Sequence, residues 1–334
     1  MNESFKLKDS TQHLPVSVVV PVYNAGKFIE QCIDSINKNS NSAYRIPAEI
    51  ILIDDNSTDN SIEIIAALAK RYPNLKLLQT ESNSGAAAAR KKGIFAAEYD
   101  LIALVDADDF LEEGAIEDAY SRFTEDIDLV IWELWKFEVD GSTRRTQANP
   151  TSFPLRGEEA LLKSLGAWNA HPLGIARKKN YVRAYDDFSI ESYNADELIT
   201  RLLFKGCRSI AGSSKKYFYR TNPNSTTQTI SDKHLTVLRS HIWLIELCLK
   251  TKNAPTASVV FGAIYAAYTF FKKRNLYNKE KLNAELLKFL LSAGSIPFVW
   301  KAMLLKPKYL GAFALLSLYI IQQELRSLGR KISA

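Results

Sequence analysis

Three carboxylates in four residues close the stretch LIALVDADDFLEE: Asp106, Asp108 and Asp109 follow an aliphatic run that reads as a buried strand. Like charges this close disfavour one another unless a cation or a set of donors stands among them. Two uses are open. Asp108 and Asp109 suit the cap of a following helix, and their oxygens equally suit a hard divalent cation, Mn2+ or Mg2+, that shares its shell with phosphate. A second cluster, Asp54 and Asp55 in ILIDDNSTDNS, also follows an aliphatic run. Two acidic strand ends facing one crevice repel each other, and a cation carrying a bound diphosphate relieves that repulsion. A third pair, Asp196 and Glu197 in NADELITRLLFKG, opens a helical pattern, where Asp196 suits a cap and Glu197 complements the helix dipole.

Something must bring these clusters together, and the first 137 residues supply it. VSVVVPV, AEIILID, LKLLQT, DLIALVD and DLVIWELWKF are short strand-like runs, separated by helical patterns over 26–38, 59–71, 84–97 and 112–123. Strand and helix alternating at this spacing predict an α/β fold with a Rossmann-like, mostly parallel, doubly wound sheet. In such sheets ligands bind beyond the carboxyl ends of the strands, where PVYN, DDNSTD and DADD all fall. After residue 230 the pattern turns helical only, over 231–251, 255–273, 279–293 and 308–330.

The order SVVVPVYN, ILIDDNSTDNS, NSGAAAARKKG, LIALVDADDFL resembles the nucleotide-sugar half of family-2 glycosyltransferases with the GT-A fold, over about residues 16–125. A weaker likeness runs through NADELITRLLF and YFYRTNPNST to about residue 227. The resemblance implies a GT-A catalytic domain over 1–230, with its acceptor half over about 126–230; the basic helical region over 231–334 matches none of the family's motifs. It also implies inverting transfer of a sugar from a nucleotide diphosphate, above all a UDP-sugar, to a hydroxyl of a glycan or lipid-linked acceptor in bacterial surface-polysaccharide synthesis.

By that analogy Pro21, Tyr23 and Asn24 line the nucleotide pocket, and Asp55, beside Asp54, accepts a hydrogen bond from the base. Asn83, Gly85 and Arg90 lie near the sugar-diphosphate, Asp106 faces ribose or sugar, and Asp108 with help from Asp109 holds the metal. The base is Asp196 or Glu197, with Asp196 the first choice; the pair is reversed relative to the family's Glu-Asp order, and its spacing to Arg201 is about one residue short. Trp168 and His171 in AWNAHPLG, with Trp132 and Trp135, are candidates for an aromatic acceptor platform.

With 334 residues and 46% hydrophobic content the chain has material for a sizeable core. Three widely spaced cysteines and no signal-like N-terminus lead to the expectation of a reducing, cytoplasmic setting, at the inner face of the cell membrane if the tail binds lipid. Residues 231–334 carry 16 Lys+Arg against 5 Asp+Glu, a balance of +11, whereas the chain as a whole stands at +6. This basic tail includes the 13-residue uncharged run YLGAFALLSLYII, too short for the ~20 residues of a spanning helix. Cationic flanks around an apolar face suit peripheral association with anionic membrane, or else a helical subdomain with solvated lysines. Nucleic acid is not expected, because the charge is spread over mostly apolar residues without a reading motif. Two other functions compete with glycosyl transfer: a non-catalytic sugar-nucleotide or glycan-binding protein, and an Asp-x-Asp phosphohydrolase. The second normally places its motif on the first strand, not the fourth.

Overall fold

The computed structural model describes residues 15–39, 47–146, 148–150, 152–165, 170–187, 193–222 and 231–332. The first half runs β1 (Val16–Val22), α1 (Ile29–Asn37), β2 (Glu49–Asp54), α2 (Ser61–Arg71), β3 (Leu75–Gln79), α3 (Ala86–Ala96), β4 (Leu101–Leu104), β5 (Phe110–Leu111), α4 (Ala115–Ser121) and β6 (Ile127–Phe137). Then come β7 (Thr143–Arg145), β8 (Leu155–Arg156), α5 (Gly157–Ser164), β9 (Gly174–Arg177), α6 (Lys178–Asp186), α7 (Ala195–Gly206) and β10 (Ser209–Arg220). The helices α8 (Val237–Lys250), α9 (Thr256–Lys272), α10 (Lys279–Gly294), α11 (Pro297–Leu305) and α12 (Pro307–Ile332) complete the chain.

Two compact units emerge: residues 1–137, 173–182 and 211–220 form one, and 138–172, 183–210 and 221–334 the other. Residues 138–172 and 183–210 thus cluster with the C-terminal helices, a different division from the boundary expected near 230.

In the first unit the strands lie in the order β3-β2-β1-β4-β9-β6-β10-β5. β1 and β2 are buried along their whole length, as central strands of a sheet covered on both faces must be. β3, mostly exposed, is the edge. β1 pairs in parallel with β2 and β4, and β2 in parallel with β3; Val22 stands opposite Asp54, Asp54 opposite Gln79, and Val19 opposite Leu104. This register brings the carboxyl ends of four strands to one edge. Beyond β4 the sheet is mixed, since β9 runs antiparallel to both β4 and β6.

Gly93 lets α3 settle on this sheet: a Cβ there would collide with Ile53 of β2 and Val19 of β1. Overpacking of this kind typically costs about 1–3 kcal/mol. Gly93→Ala should therefore lower stability by that amount in denaturant titrations.

In the second unit α5 packs on α7, α8 on α9 and α10, and α9 on α12. The Cys207 and Phe204 carbonyls occupy the space that a side chain at Gly157 would need. Asn278 caps α10 by accepting the Lys281 N–H at 3.0 Å, and α11, which the sequence reading passed over, starts with proline at its first turn.

Candidate active site

At the shared strand edge the loop after β1 is tied to the loop after β2. Asn24, in the left-handed region at φ +50, accepts the Thr58 N–H on Oδ1 at 2.7 Å and donates its own N–H to Ser57 Oγ at 3.0 Å. Ala25 N–H donates to Ser61 Oγ and Gly26 N–H to Asp59 Oδ2, at 2.9 and 3.0 Å. Tyr23 is left with 42% of its surface exposed beside this platform. Pro21 is buried within β1, so it shapes the strand end and offers little surface of its own.

Asp54 is fully buried and accepts weak bonds from Ser57 N–H and the Gln79 amide. Asp55 has its Oδ1 on the Thr80 hydroxyl and the Ser84 N–H, at 2.7 and 2.9 Å, and its Oδ2 on the Gly85 N–H at 2.7 Å. Gly85, at φ +86, is the N-cap of α3. Asp55 therefore satisfies backbone donors where the α3 dipole favours negative charge, and it fixes the loop that carries exposed Asn83. Within the chain the contacts of this carboxylate go to the 80–85 loop.

Arg90, one turn into α3, points at the acidic turn after β4: its Nη2 lies 2.7 Å from Asp106 Oδ1. The turn is closed by the Asp109 N–H on the Asp106 carbonyl at 3.0 Å. Behind it stands Tyr217 of β10, whose buried hydroxyl accepts the Asp106 N–H at 3.1 Å and donates to Asp109 Oδ2 at 2.7 Å. Asp109 Oδ1 accepts the Arg220 N–H at 2.8 Å, and Arg220 Nε donates to the Asp108 carbonyl at 2.8 Å. The Arg220 guanidinium sits about 5 Å from the rings of Phe28, Phe110 and Phe137, a cation–π setting that holds it in place.

This corrects one expectation. Asp109 is 1% exposed with both oxygens engaged, so it braces the turn from inside and is not a second metal ligand. Burial, and then the charges of Asp106 and Asp108, push its carboxyl well above the ordinary range. Burial, and after it the charges of Asp109 and Asp106, also raise the Cys32 thiol and the Tyr217 phenol.

A divalent cation fits here under one condition. Among the described residues no three His, Cys, Asp or Glu side chains converge as a complete cage. The half-buried Asp106 and Asp108 supply one or two hard oxygen ligands, the protein share usual for Mg2+ that completes its shell with phosphate and water.

Tyr217 and Arg220 were not singled out in the sequence, although YFYRTNPNST contains both; alternation in a strand was the available signal, with Tyr217 inside and Tyr219 outside. Tyr217→Phe should leave the Asp106 N–H and Asp109 without their bridge. If the turn holds a cation through Asp106 and Asp108, Mn2+ affinity should fall about tenfold to hundredfold, the usual cost of losing a partner that orients metal ligands, with near-native circular dichroism.

In the second unit α7 begins at Ala195, and its N-cap residue Asn194 accepts the Ser240 hydroxyl at 2.6 Å in place of a helix N–H. Asp196 is exposed on the first turn and makes no cap bond. Glu197 is half-buried, and burial raises its carboxyl; Arg201 opposes the shift and Asp196 adds to it. Arg201 is buried, with Nη1 at 2.7 Å from the Glu197 carbonyl and 3.5 Å from Glu197 Oε2, and Nη2 at 2.8 Å from the Ser164 carbonyl. Burial and Arg201 together push His241 down to about 4, so it is neutral at physiological pH.

The aromatic platform is not assembled as expected. His171 is 1% exposed with Nε2 at 3.4 Å from Asn149 Oδ1, a core residue that cannot stack on a sugar. Trp132 is buried and donates Nε1–H to the Ala115 carbonyl at 2.8 Å. Trp135 is half-buried under the Lys216 ammonium, and Trp168 lies outside the described residues.

Parallel strands that deliver an aspartate-rich turn, an N-capped loop and a stitched β1 end to one edge define the GT-A class of α/β proteins. Solved structures bear out the class: Staphylococcus aureus TarS 1–349 in complex with UDP-GlcNAc matches with a TM-score of 0.62 at 17% identity, over 93% of this chain and 92% of that one. The model for glycosyl transferase family 2 matches residues 17–183. The uncharacterized glycosyltransferase YibD of Escherichia coli is 31% identical over 279 residues, 79% of this chain and 78% of that protein. Glycosyltransferase GlyG of Streptococcus pneumoniae is 40% identical over 129 residues, a match that spans 38% of this chain and 42% of GlyG. The chain belongs to glycosyl transferase family 2.

Proposed function

We propose that this protein is an inverting, metal-dependent glycosyltransferase that moves a hexosyl or N-acetylhexosaminyl group from a UDP-sugar to a hydroxyl of a glycan or lipid-linked acceptor in bacterial surface-polysaccharide synthesis. The observation that carries the reading is the braced acidic turn: Asp106 and Asp108 stand at a parallel strand edge with Arg90 at 2.7 Å and Tyr217 and Arg220 holding the backbone from behind. A bound Mn2+ or Mg2+ would supply Lewis-acid neutralisation of the departing diphosphate. Asp108, with Asp106, would hold it. Tyr23 and the Asn24 platform offer a surface for the nucleoside, and the 83–85 loop lies at the start of α3, where a helix N-terminus favours phosphate. The TarS complex, which contains UDP-GlcNAc, supports a uridine diphosphate donor.

In transfer the acceptor oxygen bonds to the anomeric carbon as the bond from that carbon to the diphosphate oxygen breaks. The hydroxyl proton passes to a carboxylate. Glu197 suits that task, because burial raises its carboxyl and Arg201 fixes its turn of helix. Labelled UDP-sugars incubated with purified protein and bacterial glycolipid acceptors test the proposal. Mn2+-dependent product with anomeric configuration opposite to the donor's is expected; retained configuration overturns the single-displacement chemistry.

A further inference from the structure

Large exposed apolar side chains gather on α11 and α12. On α11 the exposed residues are Pro297, Trp300, Lys301, Leu304 and Leu305, spaced by three and four so that they share one face, while Val299, Ala302 and Met303 are buried. Leu304 and Leu305 are 71% and 73% exposed, two leucines at a helix end with most of their surface in water. Trp300 donates Nε1–H to the Gly294 carbonyl at 2.9 Å and packs edge-on against Phe313 at 5.4 Å, so what it shows outward is ring. α12 repeats the arrangement. Phe313, Leu316 and Ile320 face inward, and Gly311, Leu315, Leu318 and Ile321 outward.

Charge distinguishes the occupant. From residue 286 to 323 there is no Asp or Glu, whereas Lys288, Lys301, Lys306 and Lys308 fall within it, and the last three, all exposed, flank the two leucines in the sequence. A second copy docked on the same patch would set these lysines against their equivalents. A soluble polyanion would satisfy the lysines and leave the leucines in water. An anionic bilayer accepts both, with leucines below the headgroups, lysines among them, and Trp300 at the boundary where aromatic rings concentrate. Among the described residues no single helix is long and apolar enough to cross a membrane; the α10–α11 pair reaches that length and composition only when its two helices are taken together, and it is bent by 90°.

We propose that the exposed faces of α11 and α12, with Leu304 and Leu305 at their corner, form an in-plane docking surface for an anionic lipid bilayer. This stands apart from the transfer reaction, and its test needs no sugar nucleotide. The full chain is sedimented with vesicles of phosphatidylcholine containing phosphatidylglycerol and with phosphatidylcholine alone, at low and high salt. Alongside run Leu304→Ser/Leu305→Ser and Lys301→Ala/Lys308→Ala, each shown by circular dichroism to melt like wild type; these side chains are exposed and their loss leaves the core intact. The wild type should sediment with the anionic vesicles, less so at high salt, and each lysine removed should weaken partitioning about fivefold, the equivalent of ~1 kcal/mol near an anionic surface. The leucine variant should lose most of the binding at either salt. Three results overturn the proposal: wild type that remains in solution with anionic vesicles at low salt, binding indifferent to phosphatidylglycerol, or folded variants that sediment as well as wild type. Concentration-dependent self-association that the leucine variant abolishes, without vesicle binding, would assign the patch to a second copy and overturn it as well.

Discussion

Asp108→Asn should leave a folded protein that transfers sugar on the order of 10²–10³-fold more slowly than wild type, the scale of losing a preorganised electrostatic group at a developing charge. The neutral amide keeps the shape of the side chain, and Tyr217 and Arg220 still hold the backbone of the turn. Asp109→Asn separates the roles within the triplet. Its side chain faces Tyr217 and the Arg220 N–H inside the protein, so this change should be felt in stability, with UDP affinity far less affected than in Asp108→Asn. Equal loss of Mn2+-dependent UDP affinity in the two variants would return Asp109 to the ligand set.

The second large effect is expected at α7. Glu197→Gln removes the proposed proton acceptor, and loss of general-base assistance typically costs 10²–10⁴-fold in rate; UDP affinity should hold, since a base serves the acceptor hydroxyl on the side of the anomeric carbon opposite the departing diphosphate. The sign of the pH effect follows from burial. Glu197 titrates above the ordinary 4.5 in the folded protein, and only its deprotonated form accepts a proton. The acid limb of kcat/KM should therefore fall as pH drops through a midpoint above 4.5, and Asp196→Asn should lower that midpoint by removing a like charge. An Asp196→Asn variant as inactive as expected for Glu197→Gln, with Glu197→Gln still active, would move the base to Asp196.

The acidic strand edge was legible in the sequence because its physics is local. β1, β2 and β4 are aliphatic runs ending in polar residues, and parallel pairing leaves one side for those ends. What stayed hidden depends on partners distant in the chain. The four residues of β9, GIAR, show no alternation, yet they form a strand because Gly174 lets the Val130 carbonyl approach closely. The inward turn of Asp109 is set by Tyr217, 108 residues away. His171 read as a loop residue in an aromatic stretch, and its burial against Asn149 has no signature in AWNAHPLG. The apolar PFVWKAMLL lacks the polar face by which an amphipathic helix announces itself, so α11 escaped notice for the same reason that its exposed side is unusual.

Calorimetric titration of UDP into the purified protein, in Mn2+ and again in excess EDTA, asks most directly whether the strand edge is a sugar-nucleotide site built around the acidic turn. Saturable binding to one site per chain in Mn2+, strongly weakened by EDTA and by Asp108→Asn, is the expected result. Heat of binding that is the same with and without the chelator, or no binding of UDP in either, would contradict it.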